Sequence, residues 1–389
     1  MSFITDRRSL VANLVRDRWG DMLAELNRTA HERDTAELPP PPEIMRQAGE
    51  SGLQGLPLPK EVGGAGVDRL TWGMVLEQIG YLCGDTGFPH LISINATIAQ
   101  LVYEAGRAAL VNDYVIPIAA GNCTAGIAYS EDSDAFDFQT RLRAHGDAFL
   151  LSGRKHYITG GLLADVFLTY ALDEYGDMRA LMAHRADRGV VVSRADALGY
   201  RSTAAGTVTF TDVVVTPERM VVDTDGLTHA QRLLSDQRLW IVCAPLGRAQ
   251  GILEECIARL ERTHRYGERL AEFRNVQVSL GRMFIALEAA RNMLYRALTH
   301  LDDGAAEPVF DPIVSAAKCF VVDQIRLVID LALRLEGGYG YYGHPDLGRY
   351  LRDYTGLVIA GGTQDILEAN LGALAVAHNP HETPQRITV

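Results

Sequence analysis

Two glycine-rich turns and an Arg-Asp pair lie close together near the C-terminal end of the sequence. The first turn contains Gly337 and Gly338, the pair is Arg352-Asp353, and the second turn is Gly361-Gly362-Thr363. Glycine lets a backbone approach a ligand more closely than a Cβ atom would allow. Each feature is followed by an apolar helical pattern. A helical bundle does not require glycines at these places, so the spacing predicts a cradle for one extended ligand.

Composition limits what that ligand and the partners can be. The chain has 389 residues, is 47% hydrophobic and 22% charged, and has a formal net charge of -12. The length predicts two or three structural units with ample core. The negative charge argues against nucleic acid or an anionic membrane as the main partner, although local arginine clusters can still hold phosphates.

The cysteines and the apolar runs predict a cytoplasmic protein. The five cysteines are scattered and form no C-x-x-C pair, which fits buried thiols in a reducing compartment and no metal site. No signal peptide and no apolar run of membrane-spanning length is evident.

The elements that must position the cradle follow an α, β, α order. Near the N-terminus, apolar residues at helical spacing predict an amphipathic helix. Its apolar positions are Leu10, Leu14, Trp19, Leu23 and Leu26. From Thr124 to Val222, short alternating runs between Gly and Asp turns predict a small all-β unit. The helical period returns near Thr228 and continues to about Val376.

The predicted fold class is therefore α+β with three domains. These are an N-terminal helical domain (1–120), a middle β-barrel or β-sandwich domain (121–226) and a C-terminal four-helix bundle (227–389).

Short motifs along the chain resemble those of the acyl-CoA dehydrogenases, from about Leu56 to Ala377. Any one of them is weak, but their order and intervals together are specific. The motifs include Leu58-Pro59, Gly63-Gly64-Ala65-Gly66, Glu77, Ala128-Tyr129-Ser130-Glu131, the segments 153–159, 198–202 and 210–217, Arg238, Gly247, Tyr266-Gly267, Lys318 and the C-terminal turns.

The resemblance implies FAD, bound between the β domain and the C-terminal helices, with the flavin meeting an acyl thioester. Tyr129 and Ser130 stand where the family lines the flavin ring. Tyr157 stands where an aromatic residue packs on the ring, followed by Ile158 and by Thr159, whose hydroxyl would approach the flavin. A flat aromatic side chain suits a flat ring, although the segment read alone would be an ordinary strand.

The C-terminal turns fall on the family's adenosine and pyrophosphate positions, often across a subunit interface. The residues concerned are Gly337, Gly338, Thr363 and Gln364. Read alone, either glycine pair would equally be a turn that ends a helix.

The sequence departs from the family where the family keeps its catalytic base. Removal of the α-proton of an acyl thioester requires a carboxylate beside that carbon. Most members place a Glu at the position of Gly361, and a second branch places it at the position of Gln237, just before Arg238. Neither residue here can accept a proton at neutral pH.

Three explanations stay open at this point. Asp236 could be a displaced base, although it is offset by about 100° on the helix and is also typical of a helix-start or solvated residue. The substrate could need no strong carboxylate, as an activated acyl group or an alcohol or amine carbon would. The third possibility is a flavin monooxygenase on the same fold.

Two further departures concern the phosphates and the substrate loop. The family's phosphate-binding Arg is Thr263 here, and we expect Arg265, Arg274 and Arg334 to replace it, although Arg265 is also typical of a solvated residue. The loop after Ser130 is shortened, which predicts an altered substrate entrance with Ser133 and Arg238 as substrate-binding residues. Its acidic residues are expected to be solvated and not to bind a metal; they are Glu131, Asp132, Asp134 and Asp137.

The implied function is FAD-dependent dehydrogenation of an acyl thioester carried on CoA or an acyl carrier protein, in specialised biosynthesis. The alternatives are a flavin monooxygenase and a non-catalytic homologue. The resemblance also implies an electron-transfer protein or oxygen as electron acceptor, and a homodimer or homotetramer.

Overall fold

The computed structural model describes residues 2–132, 138–304, 307 and 310–377. Ser133, a predicted substrate-binding residue, lies outside the described residues, as do Asp134 and Asp137 of the acidic cluster.

The N-terminal part is helical. Its helices are Ser2–Arg28 (α1), Ala30–Ala36 (α2), Pro42–Glu50 (α3), Arg69–Leu82 (α4), Gly87–Glu104 (α5), Ala108–Leu110 (α6) and Ile116–Ala119 (α7), with a π-helical segment Val111–Val115 between α6 and α7.

Helix α1 is amphipathic and buries the later apolar positions of the predicted pattern, but not the first two leucines. Leu10 is 70% exposed and Leu14 is 42% exposed, whereas Val11 and Val15 are buried. Their assignment to the packed face is therefore wrong. Neighbouring residues on a helix point about 100° apart, so a shift of one position exchanges the inner and outer residues.

The middle part is one sheet of eight strands in the described residues. The strands are Ala125–Ala128 (β1), Arg141–His145 (β2), Ala148–Ile158 (β3), Val166–Leu172 (β4), Met178–His184 (β5), Val190–Arg194 (β6), Gly206–Val215 (β7) and Met220–Val222 (β8). Their order is β6-β7-β3-β2-β4-β5-β8, and β1 pairs in parallel with β4. Strands β2 and β4 meet through the single pair Arg141 and Leu172, so the β6-β7-β3-β2 part of the sheet joins the remaining strands at a narrow seam.

Two strands differ from the sequence pattern. The two valine-rich runs after Gly206 form one strand, β7. Strand β5 shows no alternation, because its central residues, Ala180 to Ala183, are all buried.

The C-terminal part is helical again. Its elements are Gly226–Arg262 (α8), the hairpin His264–Arg265 (β9) and Glu268–Arg269 (β10), Arg274–Asp302 (α9), Pro312–Glu336 (α10), Gly338–Tyr342 (α11), Leu347–Ile359 (α12) and Gln364–Ala377 (α13).

Helices α4 and α8 touch backbone to backbone, and this contact fixes α8 relative to the N-terminal part. A Cβ atom on Gly247 would lie 1.8 Å from the Glu77 carbonyl oxygen, and one on Gly80 would lie 1.9 Å from the Ala244 carbonyl oxygen. No side chain fits at either glycine. Glu77 is buried beside this contact and accepts hydrogen bonds from Arg291 Nε at 2.9 Å and from the Tyr295 hydroxyl at 2.6 Å, which adds α9 to the assembly.

The described residues contain no disulfide, no membrane-spanning helix and no cluster of metal ligands. The five cysteines are free, and four of them are buried. Among the described helices, none is both long and apolar enough to cross a membrane. The same residues contain no group of three side chains placed to bind a metal ion.

Asp353 connects the C-terminal helices to both other parts of the chain. It is 2% exposed and accepts hydrogen bonds from the Thr86 hydroxyl at 2.6 Å and from the Tyr200 backbone N–H at 2.5 Å. Burial raises the pKa of its carboxyl group from 3.8 to about 6.

Asp353 should therefore make stability fall as the pH rises. Because its folded pKa is raised, its contribution is fully present below pH 3.8 and is lost as the pH passes through about 6. The difference in the free energy of unfolding between the wild type and Asp353→Asn should fall by about 3 kcal/mol from pH 3.5 to pH 7. Urea denaturation across this range measures it.

The control is Asp330→Asn, which alters a partly exposed carboxylate on α10. It should change the free energy of unfolding by about 0.5 kcal/mol or less at either pH. A difference for Asp353→Asn that stays constant with pH would contradict the assignment.

Candidate functional site

Two glycines form the turn after α12. Gly361 and Gly362 have φ angles of +68° and +97°, which favour glycine over other residues. Arg238 Nε donates a hydrogen bond to the Gly361 carbonyl oxygen at 2.8 Å, and Lys318 Nζ donates to the Gly362 carbonyl oxygen at 3.2 Å. A Cβ atom on Gly361 would lie 3.2 Å from Arg238 Cγ and 3.4 Å from Ile241 Cδ1. The turn is thus held against α8 and α10.

The two positions predicted for a base, Gly361 and Gln237, are brought together by this contact, because Gln237 precedes Arg238 on α8. Gln237 is 7% exposed, and its Nε2 donates to the Thr97 hydroxyl of α5 at 2.7 Å.

Asp236 is neither a helix-start nor a solvated residue, so that prediction is wrong. It lies well inside α8 and is 5% exposed. Its carboxylate accepts hydrogen bonds from Arg69 Nε at 2.8 Å and Nη2 at 3.4 Å. This carboxylate is therefore not free, because it is bound by the Arg69 guanidinium, which also lies 3.9 Å from Asp302 Oδ1.

The end of β1 lies beside α8. The Tyr129 ring packs edge-on against Phe138 and Tyr170, with ring centroids 5.0 and 5.4 Å apart. Burial raises the pKa of the Tyr129 phenol, and the nearby charge of Arg238 lowers it in part. The Tyr170 hydroxyl lies 2.8 Å from His229 Nδ1 of α8, so the β domain and the C-terminal helices meet at Tyr170 and His229.

The predicted flavin-lining residues of β1 and β3 adjoin each other. The His156 backbone N–H donates to the Ser130 carbonyl oxygen at 2.9 Å. Tyr157 has a φ angle of +58° and is 69% exposed, so a strained backbone turns its ring outwards. Ser130 is exposed and Thr159 is half-buried, but Ile158 is buried in the core and could offer a ligand only its backbone.

A buried ion pair behind this surface was missed by the sequence analysis. Lys155 Nζ lies 2.7 Å from Glu131 Oε1 and donates to the Tyr129 carbonyl oxygen at 2.8 Å. Glu131 also accepts the backbone N–H groups of Gln139 at 2.6 Å and Thr140 at 3.1 Å. The pair ties both ends of the loop after β1 to strand β3.

The prediction that the acidic cluster is solvated is therefore wrong for Glu131. Its side chain is 4% exposed, whereas that of Asp132 is 71% exposed. Burial lowers the pKa of Lys155 to about 8, against the effect of Glu131, which raises it. The available signal was alternation along β3, which places Lys155 among inward-facing residues.

The first glycine-rich turn borders a cavity of about 190 Å³. Gly337 has a φ angle of +59° and ends α10, and Gly338 lines the cavity with Thr263 and Arg265. The structure thus brings Arg265 to the turn predicted to bind the adenosine and pyrophosphate end of FAD.

The other two predicted phosphate-binding arginines do not line this cavity. Arg274 and Arg334 are both exposed. Arg259, which the sequence analysis missed, does line it, with its guanidinium carbon 3.3 Å from the centroid of the Tyr339 ring. It lies one helical turn before Thr263, and that spacing was the available signal.

Residues of the second turn also form hydrogen bonds within the protein. Thr363 Oγ1 accepts a hydrogen bond from the Ile366 backbone N–H at 3.4 Å, at the start of α13. Gln364 Nε2 donates to Asp323 Oδ1 at 3.0 Å and to Glu368 Oε1 at 3.1 Å.

These residues fit the FAD that the motifs imply. Tyr157 offers an outward aromatic face with the Ser130 and Thr159 hydroxyls nearby. At the second turn, Arg238 is 5% exposed, and its buried Nη1 has no hydrogen-bond partner among the described residues. An outward aromatic surface and an unsatisfied cation suit a flat, anionic cofactor.

Three domain models of one protein family together match most of the chain. Residues 10–122 match the family described as acyl-CoA dehydrogenase, N-terminal domain. Residues 127–213 match the middle domain, and residues 224–375 match the C-terminal domain of the same family.

Individual relatives agree with these matches. The short-chain specific acyl-CoA dehydrogenase of Clostridium acetobutylicum is 27% identical over 84% of this chain and 87% of its own. The 3-(aryl)acrylate reductase of Clostridium sporogenes is 27% identical over 94% of this chain and 97% of its own. The butyryl-CoA dehydrogenase structure from Megasphaera elsdenii has the same fold, with a TM-score of 0.87, 24% identity and coverage of 95% and 98%.

Removal of the Lys155 charge should destabilise the β domain and the flavin-facing loop together. Lys155→Met leaves the Glu131 carboxylate buried without its cation, which should cost about 3 kcal/mol in the free energy of unfolding. The affinity for added FAD should fall as well. Denaturation of the FAD-free protein and FAD titration measure the two effects.

Lys155→Met/Glu131→Gln should recover part of the lost stability, since the buried charge is gone. The control Arg143→Met breaks an exposed pair with Asp212 and should cost about 0.5 kcal/mol. Equal costs for Lys155→Met and Arg143→Met would contradict a buried pair.

Proposed function

The chain belongs to the acyl-CoA dehydrogenase family of FAD-dependent oxidoreductases, and we propose that it dehydrogenates an acyl thioester carried on CoA or an acyl carrier protein in specialised biosynthesis. The observation that carries this proposal is that α8 joins the predicted flavin-lining segment to the second glycine turn. Tyr129 packs on the Tyr170 ring, and the Tyr170 hydroxyl lies 2.8 Å from His229 Nδ1 of α8. On the same helix, Arg238 Nε donates to the Gly361 carbonyl oxygen.

The proposal gives the residues of the site different roles. FAD, when bound, supplies the hydride acceptor for the β carbon of the substrate. Tyr157 would pack on the flavin, and the Ser130 and Thr159 hydroxyls would offer it hydrogen bonds. Gly337, Gly338 and Arg265 would hold the adenosine and pyrophosphate end, and Thr363 and Gln364 would adjoin the cofactor at the second turn.

Among the described residues, none of the three candidate base positions offers a free carboxylate, and this narrows the range of possible substrates. Gly361 has no side chain, Gln237 is neutral and bonded to Thr97, and Asp236 is held by Arg69. A strong general base contributes about 10²- to 10⁴-fold to a proton transfer. We infer a substrate whose α-proton is already acidic, or one that is oxidised at an alcohol or amine carbon.

The electron acceptor is an electron-transfer protein or oxygen, and the enzyme is a homodimer or homotetramer. Exposed tyrosines near the first glycine turn support an interface there; Tyr266, Tyr341 and Tyr342 are 98%, 74% and 88% exposed.

The same lack of a carboxylate favours one other function, a flavin monooxygenase on this fold. Anaerobic mixing of the FAD-loaded protein with pantetheine thioesters distinguishes the two. Bleaching of the flavin absorbance by thioester alone supports the dehydrogenase. The monooxygenase is supported if thioester alone does not bleach the flavin and if, in a separate aerobic measurement, the protein consumes oxygen only when a reductant is added.

Absence of flavin binding would favour a non-catalytic homologue. The reverse reaction is measured in parallel, because one relative is named as a reductase: the reduced protein is mixed with enoyl thioesters and its reoxidation is followed.

Gln237→Glu should supply the missing base. The rate of flavin reduction by a neutral acyl thioester should rise about 100-fold, within the range for general base catalysis. Stopped-flow absorbance measures this rate. Gln231→Glu, at a buried position on the same helix six residues earlier, should not raise it. An unchanged rate in a Gln237→Glu protein that still holds FAD would contradict this placement of the reacting carbon.

A further inference from the structure

Two adjoining cavities lie between the C-terminal end of α8 and the first glycine-rich turn. Their volumes are about 190 Å³ and about 610 Å³. Four residues line both of them, Arg259 and Thr263 at the end of α8 and Glu336 and Tyr339 on either side of the turn. The two cavities are therefore bordered by the same cation, Arg259, and by the same acid, Glu336.

The Glu336 carboxylate occupies an unfavourable position. Glu336 is the last residue of α10, where the free carbonyl groups of the helix end repel a negative charge. Its Oε2 atom is buried and has no hydrogen-bond partner within the described part of the chain. A buried acceptor without a donor destabilises the folded protein unless water or a ligand supplies the donor.

The neighbouring charged residues act on Glu336 without bonding to its buried oxygen. Burial raises the pKa of Glu336, the charges of His344 and Arg259 lower it in part, and that of Glu255 raises it further. His344 Nδ1 is used elsewhere, because it accepts two backbone N–H groups at the start of α12. Glu255 is paired with Arg248. A donor for Glu336 is therefore not provided by these side chains.

The arginines of the two cavities are also available for a ligand. The Arg259 guanidinium carbon lies 3.3 Å from the centroid of the Tyr339 ring, and Arg259 forms no ion pair with Glu336 or with another acid of the described residues. Arg265 lines the smaller cavity, and its Nη1 donates only to the carbonyl oxygen of the preceding residue at 2.9 Å among those residues. Guanidinium groups bind phosphate through paired N–H bonds.

An adenosine diphosphate group matches both features. Its diphosphate suits the arginines, and its ribose carries two neighbouring hydroxyl groups that can donate to the two oxygens of one carboxylate. Dinucleotide-binding folds likewise place an acid on the ribose hydroxyls.

We propose that Glu336 binds the ribose hydroxyl groups of the cofactor's adenosine, with Arg259 and Arg265 on the diphosphate, so that the site selects a ribose with free hydroxyl groups. This inference rests on the proposed function, which places the adenosine and pyrophosphate end of FAD at Gly337 and Gly338.

A pair of nucleotides tests the ribose contact. FAD binding to the full-length chain, freed of flavin, is measured by flavin fluorescence, with ADP and 2′,3′-dideoxy-ADP as competitors. The two competitors share the base and the diphosphate and differ only in the ribose hydroxyl groups. The wild type should bind ADP at least about tenfold more tightly than the dideoxy nucleotide, which is the low end for hydrogen bonds to a charged group.

Glu336→Ala should remove this preference, and Glu336→Gln, which keeps one acceptor oxygen, should retain part of it. The ratio of the two affinities is the readout, because loss of the acid also removes its repulsion of the diphosphate. Arg259→Gln should weaken both nucleotides equally, since both carry the diphosphate. The control Asp330→Ala removes an acid of the same helix that lines neither cavity, and it should change neither affinity.

The other outcomes overturn the inference in ways that can be told apart. If FAD binds but the wild type binds both nucleotides equally, or if neither nucleotide competes, the inference is refuted and the proposed function survives. A preference that persists in Glu336→Ala assigns the hydroxyl contact to another residue. Unchanged nucleotide affinities in Arg259→Gln refute this placement of the diphosphate. A protein that does not bind FAD refutes both the inference and the proposed function.

Discussion

Charge buried away from water must be neutralised or hydrogen-bonded, and this constraint connects the parts of the protein that surround the site. Several buried polar contacts cross the boundaries between elements. They include Lys155 with Glu131, Arg69 with Asp236, Arg291 with Glu77, and Asp353 with Thr86 and Tyr200. Each contact fixes two segments that are distant in sequence.

The position of α8 follows from a second constraint, which is steric. Gly247 and Gly80 allow α8 and α4 to touch through their backbones, and side chains at either position would force the helices apart. With α8 fixed, Arg238 can reach the Gly361 carbonyl oxygen, and His229 of the same helix lies 2.8 Å from the Tyr170 hydroxyl of the β domain. The site therefore depends on helix packing that lies outside it.

The sequence predicts the order of helical and β segments well, because hydrophobic periodicity and turn residues are local properties. It does not predict which polar residues are buried. Glu131 and Asp236 have the sequence context of solvated acids, yet each is buried against a cation distant in sequence, Lys155 or Arg69. A single sequence does not contain the pairing, since the partner is known only once the elements are packed.

A similar limit applies to the face of a helix. In α1 the alternatives Leu10 and Val11 are adjacent and both apolar, so the periodicity alone does not choose between them. The α3–α4 region and the neighbouring helices make that choice through the space they leave for side chains.

The candidate base positions among the described residues place a chemical requirement on the substrate. A base is needed in proportion to how weakly acidic the departing proton is. Gly361 has no side chain, Gln237 cannot accept a proton at neutral pH, and Asp236 is already paired with Arg69. An acyl thioester that is oxidised at this site would therefore have to carry its own acidifying group at the α carbon, or the oxidised carbon would have to bear an oxygen or a nitrogen.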